Sequence, residues 1–256
     1  MTNFGDLLGA LLQSNTGQSA QSRIGNALQD LQANLGQVSG GQGGAGDLLA
    51  GLLEQAKTSL GTAAENPLQA GGIGAVLGSL LGGGGDSVKG ALSGGVLAML
   101  AGVAFKAMSN AGQAGVAASQ GGEPPLGLKP PVTPAEHSLL ETKAQLIMKG
   151  MMNIAKSDGL VSPDEIQRIV GKAADAGIGA QGQEWLMAEL RQPLNLDAFA
   201  AEIPNPEIAA EVYAASLLAV EVDTPQERDY LRQFAEKTGL APVVVQQIHQ
   251  SLGIVM

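Results

Sequence analysis

Apolar positions keep helical time over most of the chain, and they do so most clearly in its second half. Leu140, Ala144, Ile147, Met151 and Ile154 fall on one helix face, and Ile166, Ile169, Val170 and Ala173 on another. The stretch from Ile208 to Val222 is apolar nearly all round, which predicts a central, buried helix. No segment of useful length alternates at period two. Start signals punctuate this pattern. Thr133-Pro134-Ala135-Glu136, Ser162-Pro163-Asp164-Glu165 and Thr224-Pro225-Gln226-Glu227 each set a hydroxyl N-cap before a first-turn proline and a third-position glutamate, the residues of a capping box. Asn205-Pro206 is a weaker fourth start, and Asp158-Gly159, Gly177 and Gly239 are stops. The expectation is an all-α bundle of six or seven helices.

The front of the chain is different in kind. Phe4, Leu7, Leu8, Leu11 and Leu12 stand at helical spacing, as do Ile24, Leu28 and Leu31, in Gln/Gly/Ser-rich surroundings. Gly5-Asp6-Leu7-Leu8 recurs as Gly46-Asp47-Leu48-Leu49, two copies being too few for a solenoid. Residues 1–66 therefore read as a flexible leader with short amphipathic helices, or as plain disorder. Next come 20 uncharged residues between Glu65 and Asp86, and 16 more between Lys89 and Lys106. A membrane helix needs about 20 mainly apolar residues, and the second run reaches that length if its two lysines snorkel. Gly74, Gly78 and Gly82 step by four, as do Gly90, Gly94, Ala98 and Gly102. Such a stripe lets helices approach at backbone distance in lipid. Residues 67–108 are accordingly expected to be a Gly-zipper-like membrane segment, one spanning helix or a hairpin. The alternative is a low-complexity Gly/Ala/Leu linker. Residues 109–133, with Glu123-Pro124-Pro125 and Lys129-Pro130-Pro131, form a Pro-rich linker, and residues 134–256 the helical domain.

Composition sharpens the division. Of 37 glycines 28 precede Glu123, whereas five of the seven aromatic residues follow it. The second half carries 18 acidic and 10 basic residues, most of the net charge of −10, with no basic cluster for a phosphate backbone. Nucleic acid is not an expected partner. The absence of cysteine excludes disulfides and thiolate metal sites. The first residues lack the basic region of a secretory signal, so export by cleavage is not expected.

Catalytic signatures are missing. Gly41-Gln42-Gly43-Gly44-Ala45-Gly46 matches a dinucleotide fingerprint in letters, but it follows no strand. There is no P-loop, nucleophile elbow or His-Glu-x-x-His, and no EF-hand loop starts at Asp158. His137 and His249 stand alone and are expected to be solvated helix residues. No enzyme activity is expected.

An internal echo remains. Setting Pro163 on Pro225 brings Glu165 onto Glu227, Ile169 onto Leu231, Ala173 onto Ala235 and Gly177 onto Gly239. Two hairpins about a pseudo-twofold would draw Asp158, Glu165, Glu221, Asp223 and Glu227 towards one region. Those acids are then either capping and turn residues or a Ca²⁺- or Mg²⁺-type oxygen site.

The run from Ala155 through Asp158-Gly159 to Ser162-Pro163-Asp164-Glu165-Ile166 and Ile169 resembles the TerB-like (tellurite-resistance) domain. So does Ala219-Val220-Glu221-Val222-Asp223-Thr224-Pro225-Gln226-Glu227-Arg228-Asp229-Tyr230-Leu231, with Glu236-Lys237-Thr238-Gly239-Leu240. The second run is most similar to the YebE-like inner-membrane branch, of unassigned function. The resemblance covers about residues 137–254. It implies an all-α TerB-like fold, acidic residues holding a divalent metal, and a bacterial inner-membrane setting with the domain in the cytoplasm. Where the first half has Asp158-Gly159, the second has Val222-Asp223. Two readings of function follow. One is a membrane-anchored, stress-related protein whose acidic helical module binds an unknown protein partner or senses a divalent cation, with self-association through the Gly-rich helices. The other is a soluble self-assembling scaffold without a membrane span.

Overall fold

A computed structural model describes residues 22–27, 29–31, 86–112, 133–159, 161–175 and 179–254; at 86–96, 165, 172 and 175 it describes only the backbone. Eight helices are named in it: α1 (Asp86–Asn110), α2 (Pro134–Ala155), α3 (Pro163–Asp175), α4 (Ala180–Arg191), α5 (Leu196–Glu202), α6 (Pro206–Ala219), α7 (Pro225–Thr238) and α8 (Pro242–Leu252). Residues 22–27 and 29–31 are also helical, and no strand occurs among the described residues.

The helix starts fall where the cap signals put them. Thr133 accepts from the Glu136 amide while the Glu136 carboxylate takes the Thr133 amide, at 3.2 and 2.8 Å. Thr224 and Glu227 repeat the exchange, at 3.2 and 3.0 Å. Asn205 caps α6 through the Ile208 amide, 2.9 Å. Asn195, which no sequence signal singled out, caps α5 through the Ala198 amide, 3.0 Å. Each such cap satisfies an amide that the helix leaves unpaired. The stop at Gly239 is a left-handed cap with φ of 72°, a conformation glycine adopts without strain. Gly177 lies outside the described residues.

The core is built around α6, which packs against α2, α1, α7 and α8. From Ala209 to Leu218 every residue of α6 is buried, as its all-round apolarity predicts. On α2, Ala144, Ile147, Met151 and Ile154 are buried and Leu140 half-buried. On α3, Ile166, Val170 and Ala173 are buried. The α2–α6 contact is close because Gly150 has no side chain: a Cβ there would stand 2.4 Å from Val212 Cγ1 and 3.6 Å from Phe199 Cζ. Gly150→Ala is expected to destabilise the bundle by about 1–3 kcal/mol through overpacking. The Gly150→Ala/Val212→Ala pair should lose less than the sum of the two single changes in urea unfolding. Strict additivity would place the tightness elsewhere.

The run expected to lie in lipid is where structure and sequence part. Gly74, Gly78 and Gly82 lie outside the described residues. Gly90, Gly94, Ala98 and Gly102 all fall on α1, with Gly102 buried and Ala98 half-buried. Yet α1 packs on α6 and α8, and Leu97, Leu100, Val103, Ala104 and Ala107 share one buried cluster with the rest of the bundle. Among the described residues no helix is long and apolar enough to cross a membrane. Lys106 does not snorkel; it forms an ion pair with Asp30. The physical reason is that an all-round apolar helix needs apolar surroundings on every side, and neighbouring helices supply them as well as lipid does.

The order of long buried helix, acidic turn and proline-started helix does occur twice, as α2–α3 and α6–α7. The surroundings of the two copies differ, however. Helix α7 packs on α5, α6 and α2, whereas α3 packs on α4. These contacts do not show a twofold relation.

Candidate functional site

The acidic turns were the sequence's candidate for chemistry. Following α2, Asp158 is exposed, and so is Gly159. The neighbouring Lys156 is buried, and its Nζ donates to the Glu189 carbonyl of α4 at 2.6 Å. Burial pushes its pKa down, against the pull of the nearby Glu189 carboxylate. Lys156 thus ties the end of α2 to α4. Glu165 lies in the first turn of α3, with its side chain outside the described residues.

In the second turn Glu221 and Asp223 are exposed. Glu227 is 8% exposed, and one of its oxygens is fully occupied. Its Oε2 accepts from the Asp223 amide (3.2 Å), the Thr224 amide (3.0 Å) and the Thr224 hydroxyl (2.8 Å). Arg228 closes the turn by donating to the Asp223 carbonyl, 3.0 Å. Glu227 is therefore a cap, bonded to the turn that precedes its own helix. Among the described residues, no three His, Asp or Glu side chains come close enough together to hold a metal ion. The structure does not bring Asp158, Glu221, Asp223 and Glu227 to one point. On this geometry, millimolar Ca²⁺ or Mg²⁺ should leave the melting temperature of the full-length chain unchanged. A rise that vanished in Asp158→Asn, Glu165→Gln, Asp223→Asn and Glu227→Gln would show a bound cation instead, since a ligand of the folded state raises Tm by mass action.

Polar chemistry sits deeper than the sequence reading placed it. Lys143 of α2 and Glu211 of α6 are 4% and 0% exposed, with Nζ 2.6 Å from Oε1. Glu211 Oε2 has no hydrogen-bond partner. Burial pushes the Glu211 carboxyl up to about 8, against the attraction of Lys143 and with added repulsion from Glu207. The one available signal was a glutamate inside an otherwise apolar helix. His249, expected to be solvated, is half-buried, with Nε2 3.0 Å from the Tyr213 hydroxyl and the rings stacked at 5.7 Å. Burial lowers the His249 pKa and raises that of Tyr213 to about 12. His137, by contrast, is exposed on α2.

Capped helices packed around the buried Lys143–Glu211 contact make an all-helical module among the described residues. Residues 63–252 match the family model of DUF533, described as a protein of unknown function, and the chain belongs to that family, the TerB-like group. The match begins before α1 and runs through it, in keeping with the place of α1 in the core. Over 92 residues the chain is 32% identical to an uncharacterised protein in the ampR 5′ region of Yersinia enterocolitica; that stretch is 36% of this chain and 66% of the relative, just under two thirds. No solved structure matches the chain.

Proposed function

We propose that this protein is a non-catalytic, self-assembling helical module, an acidic bundle that meets other proteins through its surface and whose Gly-rich runs pack on protein. The observation that carries this reading is the burial of Leu97, Leu100, Val103, Ala104 and Ala107 in the chain's own core. That burial gives the described part of the 16-residue uncharged run, residues 97–105, an apolar setting without calling on lipid. High-pH carbonate washing of membranes from cells making the full-length chain tests it. The chain is expected in the supernatant, and there to sediment as more than a monomer. Retention in the pellet would overturn the reading.

A second reading rests on the other uncharged run, the 20 residues between Glu65 and Asp86. If that stretch anchors the chain, the acidic module is held at the cytoplasmic face of a bacterial inner membrane. Pellet retention that disappears when residues 66–85 are replaced by a charged linker is the result that favours this reading.

A further inference from the structure

We propose that the C-terminal ends of α1, α6 and α8 form a receptor for one short amphipathic helix, and that residues 22–31 of a second copy of this chain fill it, joining copies by exchange. The inference rests on the self-assembly reading and gives it a contact. Within one chain, residues 22–27 and 29–31 already show what the receptor takes. Ile24 is 8% and Ala27 0% exposed, and Leu31 packs against the same cluster. Arg23 reaches the end of α6, donating to the carbonyls of Leu217 and, at 2.7 Å, Val220. Asn26 donates to the Leu252 carbonyl at the end of α8, 3.4 Å. Asp30 pairs with Lys106 of α1.

The end of α6 is what makes this a site. Helices α7 and α8 finish on glycines with φ of 72° and 68°, whose amides turn back to the last carbonyls. Helix α6 finishes on Val220 in an extended conformation, with no basic residue in its last turn. Its terminal carbonyls carry the negative end of the helix dipole and need a donor from elsewhere. Arg23, 194 residues away from Leu217 in sequence, is that donor. The approach is also close: a Cβ on Gly253 would stand 2.2 Å from Asn26 Nδ2. The ligand is thus an arginine followed by an apolar residue, an alanine three further on and an aspartate seven from the arginine.

Exchange follows from connectivity. The helical ligand lies outside the family match, which starts at residue 63, while α1, α6 and α8 lie within it. The 54 residues from 32 to 85 separate ligand from receptor. Fully extended, they reach about 180 Å, so nothing in the chain's length confines the helix to its own receptor. Two buried side chains and a few polar contacts make a small interface, which a second copy enters once its concentration exceeds the effective concentration of the tethered helix.

The test uses a fluorescein-labelled peptide of residues 20–33 and two full-length receptors, wild type and Ile24→Asp. The Ile24→Asp chain, whose own helix no longer docks, is expected to bind the peptide saturably and about tenfold more tightly than wild type. An Arg23→Gln peptide should lose about tenfold, and so should a Lys106→Glu receptor, with an Asp30→Lys peptide restoring binding to the latter. Absence of saturable binding to both receptors, or binding indifferent to Arg23 and Lys106, overturns the proposal. Sedimentation of the full-length chain completes it: Ile24→Asp should reduce self-association. Undiminished association of that variant overturns the exchange while leaving the broader self-assembly reading in place. A chain that pellets with membranes yet binds the peptide overturns only the broader reading.

Discussion

Replacing Leu100 with alanine in the full-length chain is expected to lower the unfolding free energy of the bundle by about 2–5 kcal/mol. Leu100 is fully buried in the cluster that joins α1 to α6 and α8, so the change removes transfer energy and leaves a cavity in a core that only partly relaxes. The readout is urea unfolding followed by the fluorescence of Trp185, which stands on α4 and packs against the same cluster. A lower midpoint at unchanged slope is the expected form of the result. Were α1 instead housed in lipid, the same truncation would leave the urea transition of α2–α8 where it was. An unmoved midpoint would therefore remove α1 from the core and with it the observation on which the self-assembly reading stands.

Much of the bundle could be read without coordinates, because its helices announce their own starts. Thr133 with Glu136 and Thr224 with Glu227 are local devices, closed within four residues, and local sequence is enough to specify them. The burial of α6 was equally legible, since no polar face exists to point outward. What the sequence left open shares one cause. Whether an apolar helix lies in lipid or in protein depends on what surrounds it, and nothing between Lys89 and Lys106 encodes the surfaces of α6 and α8. Spacing showed that Ile24 and Leu31 share a face, but not where that face docks. The acids of the turns illustrate the same limit: a glutamate three residues after a threonine serves a cap or a cation with the same letters. The three bonds to Glu227 Oε2 show the cap, which the letters alone could not. Glu211 was passed over because its partner, Lys143, is 68 residues earlier and on another helix.

That buried pair gives the second large effect. In the folded chain the Glu211 carboxyl is raised to about 8, above the 4.5 of an ordinary glutamate, so the native state holds a proton that the unfolded chain releases. Its contribution to stability is therefore complete below about pH 4.5 and is lost as pH rises through about 8. Lys143→Met takes away the attraction that opposes desolvation and leaves Glu211 alone in an apolar core. Breaking a buried pair in this way costs about 3–5 kcal/mol wherever the remaining group must be charged. Thermal and urea unfolding should accordingly show a loss in Lys143→Met that is small near about pH 5, where the carboxyl is neutral, and largest near about pH 9. Lys143→Met/Glu211→Leu fills the same space with apolar atoms and leaves no charge to desolvate. The double variant should recover most of the loss and flatten the pH profile between those limits. A Lys143→Met penalty of the same size at both ends of that range would mean that Glu211 does not change its charge there, and that the ammonium contributes by packing alone.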